Sequence, residues 1–554
     1  MKTEIKLIRK GWVNIAQGGV SVWVRGQAHL GDAYYDTKSL AELFVGKSDT
    51  VAALDEVVSR LNGCWAAVVQ LKDRIFVSVD RIRSIQLLYS VDELNNELII
   101  FDDVEEYRKT HVVDLDEVSC HEYLSFGYVY SDRTLYKNIF SLQAAERIIL
   151  SSQNNGKWQK EPRRYWRFVP AEKNEIKPSE ELFKKIDAAF VRMIERLIES
   201  VNGHRIVIPL SGGYDSRIIA NYLHRLGYKK VLCYTYGSQP SVVDGAPNEP
   251  ECSRRIAEAL GYEWHFTEYS KKNSCSILNN TDMIPWYKYM VNGNSKVCFQ
   301  EYVALNSMRE KRLVNSDDII TPGHNFDFIA GSCMYTTIPV YDLAAEVQHF
   351  GKQFLQRGEW KRSMQSTTKL IKENSVVPYK SFYESFLWQE ETAKFVINAV
   401  RCYEWLGFDW RLPEWDNDLI QLWMSLPAAL RFGRGYFKSI WPQLAEPEIR
   451  ECPIYGTATI WEAIKHAISS RMPYPILHAI HWLRRKAEFT PIKYTTEGID
   501  ISDAVEVIMH SKDEALESVR TRIAKNLPRI KHKNNCYIAY NNLSVTLKAF
   551  GMSI

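Results

Sequence analysis

Short β-branched and aromatic runs, set between polar turns, dominate the chain up to about residue 165. CWAAVVQL (64–71), RIFVSVD (74–80), SIQLLYS (84–90) and ELIIFDD (97–103) are separated by Lys-Asp, Asp-Arg and Asn-Asn pairs. Their even spacing predicts strands in antiparallel meanders. The polar tract LSSQNNGKWQKEPRRYW (150–166) predicts a hairpin and then a linker. The period then changes. In residues 178–200, Leu182, Ile186, Phe190, Met193 and Leu197 fall on one helical face, with Ser179 as N-cap ahead of Glu180 and Glu181. After it, RIVIPL, SRIIANYLHRLG, KVLCYTYG, PECSRRIAEALG and WHFTEY alternate strand and helix patterns, which predicts a parallel sheet with crossover helices. From about residue 280 the pattern is helical and aromatic-rich, with loops near 321–333 and 409–417. Three regions follow: 1–165, 175–455, and an extension over 456–554.

Composition adds limits. At 554 residues the chain can build two to four cores, and 45% hydrophobic with 25% charged residues is ordinary for a globular protein. A net charge of +3 gives no case for nucleic acid as an obligatory partner. The extension holds a basic cluster, Arg484, Arg485 and Lys486, and a run over 520–533 with six Lys/Arg and no acid. A solvated face and contact with an anionic or membrane-associated acceptor both remain open there. The ten cysteines include no C-x-x-C pair, which argues against a zinc knuckle or a redox dithiol and fits a reducing compartment. The opening MKTEIKLIRKGW has no apolar core, and no 18 apolar residues run together. The expectation is a cytoplasmic protein without a transmembrane segment.

The candidate chemistry begins at RIVIPLSGGYDSRIIANYLHRLGY (205–228). A buried strand runs into Ser211-Gly212-Gly213, and a helix begins near Asp215. Paired glycines allow a tight turn with close backbone approach, and the helix start directs amides at an anion. Ser211 and Ser216 add hydroxyls, whereas Asp215 beside phosphates makes sense mainly as a Mg²⁺ ligand. Without Gly-Lys-Ser/Thr the turn is not a Walker loop.

LSGGYDS resembles the PP-loop of ATP pyrophosphatases, and its surroundings resemble the asparagine synthetase superfamily. Residues 61–90 and 121–150 are similar to that family's amino-terminal domain, and DWRLPEWDND (409–418) is similar to its Arg-x-Pro-x-x-Asp signature. The likeness spans about residues 55–450. It implies an α+β, Ntn-hydrolase-like antiparallel β domain, inactive here, and an α/β PP-loop synthetase domain with a parallel sheet and many helices. It implies ATP and Mg²⁺ as cofactors. ITPGHNFDFIAGS (320–332) resembles the loop closing the family's nucleotide site, so Asp327 would join Asp215 on the metal and Gly323 would pack by the nucleotide. His324 stands where asparagine synthetases carry a catalytic Glu and where lasso-peptide cyclases can carry His. Leu210 and Tyr236 match adenosine-contact positions, with plain sheet core as the alternative; Glu249 matches a recurrent acid, with a helix-start carboxylate as the alternative. In the family's Arg-x-Lys segment this chain keeps Arg450 but has Cys452 in place of Lys, which leaves Lys438 as a substitute or as an ordinary surface lysine.

Glutamine-dependent members use an amino-terminal Cys whose α-amine is the base. This sequence begins Met1-Lys2-Thr3, and neither Cys64 nor Cys120 can supply that amine. The expectation is an amide-forming ligase that adenylates a small-molecule, sugar or peptide carboxylate and uses an amine or ammonia, with a homodimer possible. Ring closure of the β-lactam or lasso type, and a catalytically silent relative, stay open. PP-loop modification of nucleic acid fits the charge and cysteine pattern less well.

Overall fold

The computed structural model describes residues 2–92, 97–116, 118–119, 122–123, 127–152, 158–171, 176–243, 246–269, 283–297, 300–333 and 382–455. Cys120, the extension over 456–554 and its basic residues lie outside these.

The first part is built on strands β1 (Lys2–Lys6), β2 (Val13–Gln17), β3 (Val20–Leu30), β4 (Ala33–Tyr35), β5 (Asn62–Gln70), β6 (Arg74–Val79), β7 (Leu88–Asp92), β8 (Glu97–Phe101), β9 (Ile139–Ser141), β10 (Glu146–Ser152) and β11 (Trp158–Arg164). One sheet runs β11-β10-β6-β5-β3-β2 with β4 beside β3, and the other runs β1-β8-β7-β9. Every pair is antiparallel except β1 with β8. The expected meanders and the β10–β11 hairpin are present. SIQLLYS becomes a strand only from Leu88. Before that the chain wraps around buried Asp80, whose carboxylate accepts from the Ile82 and Ser84 amides. That side chain–backbone closure competes with extension.

Strand β5 is buried on both faces. Cys64, Ala66 and Val68 face the main core, whereas Trp65, Ala67 and Val69 pack on helices Thr37–Gly46 and Val51–Arg60. Asp36 and Thr50 cap those helices, each accepting from an amide three residues on. Within a region whose pattern reads as strand-like, they are among the elements that the sequence reading did not anticipate.

The second part begins with helix Glu180–Val201, capped by Ser179 as expected and buried along Leu182, Ile186, Phe190, Met193 and Leu197. Strands β12 (Ile206–Pro209), β13 (Val231–Gly237) and β16 (Glu263–Glu268) alternate with helices Asp215–Arg225 and Glu249–Ala259, and a short ribbon, β14 (Val242–Val243) with β15 (Ala246–Pro247), lies between. Two brief strands, β17 (Ile319–Ile320) and β18 (Asp409–Trp410), complete a sheet ordered β16-β13-β12-β17-β18. All its pairs are parallel. The chain is therefore a mixed α/β protein with largely antiparallel sheets followed by a parallel one. The carboxyl ends of adjacent β12, β17 and β18 release the segments 210–216, 321–327 and 411–416 side by side. In open parallel sheets that edge is where ligands bind. Among the described residues no helix is long and apolar enough to cross a membrane.

Candidate functional site

The loop after β12 is organised by its own serines. The Ser211 amide donates to Ser216 Oγ at 3.0 Å, the two hydroxyls lie 3.2 Å apart, and the Gly213 amide donates to Ser211 Oγ at 3.3 Å. No side chain caps helix Asp215–Arg225, which leaves its amino-terminal amides facing the loop. Gly212 admits a second segment from above. A Cβ there would lie 2.6 Å from the Tyr455 Cβ and 2.8 Å from the Cys252 Cβ. The Tyr455 amide donates to the Gly212 carbonyl at 2.8 Å. Fully buried Arg217 secures the same junction by donating to the carbonyls of Gly212, Cys452 and Pro453. Burial lowers its guanidinium to about 10, so it stays charged at neutral pH.

A cavity of about 330 Å³ opens beside this loop. Such a volume sits at the low end of the range of about 300–1,000 Å³ for small-molecule sites. Pro209, Leu210, Ser211 and Ser216 form one wall, and Pro322, Gly323 and His324 form another. The end of β13 (Tyr234, Thr235, Tyr236), Glu249 and Glu301 close it. Tyr234 and Tyr236, two apart on β13, both donate to the Glu301 carboxylate, Tyr236 at 3.2 Å. Burial raises Glu301, and those two hydroxyls pull it back. Tyr236 also stacks on Tyr269 with ring centres 4.9 Å apart.

Behind the loop stand the acids. Burial first, and the neighbouring Asp327 carboxylate second, push Asp215 well above the ordinary carboxylate range. The Asp327 amide and the Arg434 charge pull it back. Arg434 reaches this place from a backbone with φ +63° and lies over the Tyr214 ring at 5.6 Å. Glu414, on the turn after β18, is 1% exposed, and neither of its carboxylate oxygens has a hydrogen-bond partner. Asp215 and Asp327 are half-buried, and two neighbouring carboxylates of that kind suit a divalent cation between them. Among the described residues no group of three or more His, Cys, Asp or Glu side chains is placed to hold a metal ion.

His324 lines the cavity, and burial lowers its imidazole to about 4, so the ring is neutral at pH 7. Its Nδ1 is buried without a partner.

The candidate residues thus divide. Leu210, Ser211, Ser216, Tyr236, Glu249, Gly323 and His324 line one cavity, with Gly212 and Gly213 in its loop and Asp215 and Asp327 paired behind it. Lys438 and Arg450 are exposed and do not line it. Arg450 makes only a 3.5 Å contact to the Ala445 carbonyl. Tyr234, Thr235, Glu301, Glu414 and Arg434 were missed by sequence reading. Their one sequence signal is that Tyr234 and Tyr236 fall on the same face of a strand.

A second cavity, about 70 Å³, lies between the two parts, lined by Gln27, His29, Asn62, Cys64, Arg196 and Arg411 among others. It is too small for the chemistry above. Its polar groups hold the parts together: Asn62 Nδ2 donates to Asp416 at 2.8 Å, and Asn62 Oδ1 accepts from the Asn417 amide at 3.0 Å. Burial raises the Cys64 thiol far above its usual range, which leaves it without thiolate character.

No family model matches the sequence. No curated protein matches it. Among solved structures, similar ones include the NH3-dependent NAD synthetase from Campylobacter jejuni subsp. jejuni NCTC 11168, at 14% identity and TM-score 0.20, over 35% of this chain and 85% of that one. Another is described as the allosteric regulatory enzyme of purine biosynthesis, at 11% identity and TM-score 0.19, over 46% of this chain and 62% of that one. Likeness at this level carries no argument about this chain, and the functional reading rests on the site.

Proposed function

We propose that this chain is an ATP-dependent ligase that adenylates a carboxylate, releases pyrophosphate and passes the acyl group to an amine or ammonia. The observation that carries the reading is the joining of a glycine-serine loop at a helix start with paired Asp215 and Asp327, beside a cavity at the carboxyl edge of a parallel sheet. In this reading the α-phosphorus of ATP is attacked by the substrate carboxylate, and the bond to pyrophosphate breaks. The amine then attacks the acyl carbon, and AMP leaves.

Each group has a part. Leu210 and Tyr236 border the nucleoside, Ser211, Gly212, Gly213 and Ser216 border the phosphates, and Gly323 keeps the closing loop against them. Mg²⁺ neutralises phosphate charge when bound, and Asp215 and Asp327 would hold it. Arg434, whose charge acts on Asp215, takes the charge-balancing part, and Lys438 and Arg450 are exposed. His324, neutral at pH 7, lines the cavity and orients the attacking amine, whose proton passes to solvent. Catalysis of the first step is then positioning and electrostatics. We read the first part of the chain as an Ntn-type fold in which Cys64 takes no catalytic part, and the nitrogen donor in this reading is free ammonia or a substrate amine. The preferred carboxylate is a sugar acid of surface-polysaccharide synthesis, ahead of β-lactam or lasso ring closure.

A second reading, a nucleotide-binding relative without chemistry, is favoured by Cys452 in place of a lysine. Mass spectrometry of AMP release from Mg·ATP across a panel of sugar, amino and peptide acids separates the two. The ligase reading requires AMP and pyrophosphate in equal amounts with at least one acid, and AMP release with none of them supports the second reading.

A further inference from the structure

The loop that closes the cavity bends at Asn325. Its φ of +81° lies in the left-handed region, where glycine and asparagine are the usual residues. The bend sets His324 on one side and the helical turn Phe326–Ile329, with Asp327, on the other. Two side chains from elsewhere in the chain hold it. Trp415 Nε1 donates to the His324 carbonyl at 3.0 Å, and Asn325 Nδ2 donates to Thr392 Oγ1 at 2.9 Å.

Buried Thr392 stands on a helix of wide π turns, Leu387–Val396. Such turns are rare and mostly single, and a run of ten residues needs support from outside. The first part of the chain supplies it. Lys394 Nζ donates to the Val129 carbonyl at 2.7 Å, to the Ser131 carbonyl at 2.6 Å and to Glu390 at 2.6 Å. Glu390 in turn accepts from the Ser131 amide at 3.0 Å. Both side chains are sealed from solvent, where an ion pair is costly unless further hydrogen bonds complete it. Arg83 Nη1 donates to the Ala393 carbonyl at 3.2 Å, and Trp388 Nε1 to the Arg81 carbonyl at 2.8 Å. Gln389 Nε2 donates to Gln143 Oε1 at 3.1 Å. Thr392, within the same turns, is bonded to the closing loop of the second part instead.

We infer that Thr392 is a positioning residue for the loop of His324 and Asp327, and that the first part, through its hold on helix Leu387–Val396, keeps that loop set for nucleotide. The inference rests on the nucleotide-site reading above and gives the first part a role in it that needs no catalytic cysteine. A left-handed bend costs less to keep when its side chain has a fixed partner, and Thr392 can be fixed only as well as the helix beneath it.

Binding of Mg·α,β-methylene-ATP to the full chain, by isothermal titration calorimetry, tests the bond. Wild type, Thr392→Val, Thr392→Ser, and Asn325→Gly with and without Thr392→Val are compared, each shown to be folded by a thermal melt. Thr392→Val, close in shape but without the hydroxyl, is expected to weaken binding by at least about fivefold, and Thr392→Ser by less than about twofold. In Asn325→Gly, which suits the bend but has no side-chain amide, Thr392→Val should change affinity by less than about twofold. Amide hydrogen exchange of wild type tests the role of the first part. Coupling is reciprocal, so nucleotide should slow exchange in 387–396 and 129–131 as well as in 211–216 and 321–327. Protection confined to the two loops, wild-type affinity in Thr392→Val, or an equal loss in the Asn325→Gly chain overturns the inference and leaves the nucleotide-site reading standing. Should Thr392→Val fail to fold, the exchange result decides alone. Wild type that neither binds the nucleotide nor gains protection at 211–216 removes both.

Discussion

Gly323 lies so close to Ser216 that a Cβ on it would stand 2.3 Å from the Ser216 backbone nitrogen, and 2.8 Å from the Asp215 carbonyl carbon. Both neighbours are backbone of the helix start, so neither can swing aside. Gly323→Ala must push the 321–327 loop off the phosphate loop, and with it the Asp215–Asp327 pair. We expect a stability loss of about 1–3 kcal/mol by chemical denaturation, and nucleotide affinity reduced further than that loss explains. Alanine tolerated with unchanged nucleotide binding would show that the two loops do not act together.

Arg217 holds three carbonyls from two segments while fully buried. Arg217→Ala leaves those acceptors without donors, and a loss of about 3 kcal/mol is expected. Arg217→Lys should recover little, because one ammonium cannot span the carbonyls a guanidinium fork reaches. Urea unfolding curves for the two variants check this, and full rescue by lysine would contradict it.

His324 gives a pH signature. Its imidazole titrates at about 4 in the folded chain. In the unfolded chain it titrates at about 6.5. Between those values the unfolded state binds more protons, so the contribution to stability is present above about pH 6.5 and is lost as pH falls toward about 4. The stability advantage of wild type over His324→Gln should shrink across that window by an amount on the order of 3 kcal/mol or less. A difference constant with pH, measured by denaturation at about pH 7 and about pH 5, would mean that the ring is not held neutral by burial.

Three candidate cations, Lys438, Arg450 and Arg434, are expected to separate. Lys438 and Arg450 are exposed, and alanine at either should leave acid-dependent AMP release within about threefold of wild type. Arg434 acts on Asp215 and has its Nε buried without a partner. Arg434→Ala should lower that rate by about a hundredfold or more, in the range seen when a charge-stabilising donor is removed. Equal effects at all three would remove Arg434 from its proposed part.

Local pattern made much of this legible. The Ser179-capped helix, the alternation over 205–269 and the loop at 211–216 each announce themselves within a few residues. Brief β17 and β18 do not, because two residues carry no period, yet they set the 321–327 and 411–416 segments beside the loop. Helices Thr37–Gly46 and Val51–Arg60 were hidden by apolar residues that also suit strands. Glu301 and Glu414 were illegible for another reason. A glutamate has the same local propensity whether it meets water or a buried site, and only long-range packing decides which. Lys438 was singled out by chemical type alone, and packing leaves it outside the cavity.

The most direct test of the central claim is ATP–pyrophosphate exchange by wild type and Asp215→Asn, each supplied with Mg²⁺ and the carboxylate that supports AMP release. The account predicts label exchange into ATP that depends on the acid and falls by at least about a thousandfold in Asp215→Asn. Exchange that needs no acid, or that survives in Asp215→Asn at the wild-type rate, would contradict carboxylate adenylation at this site.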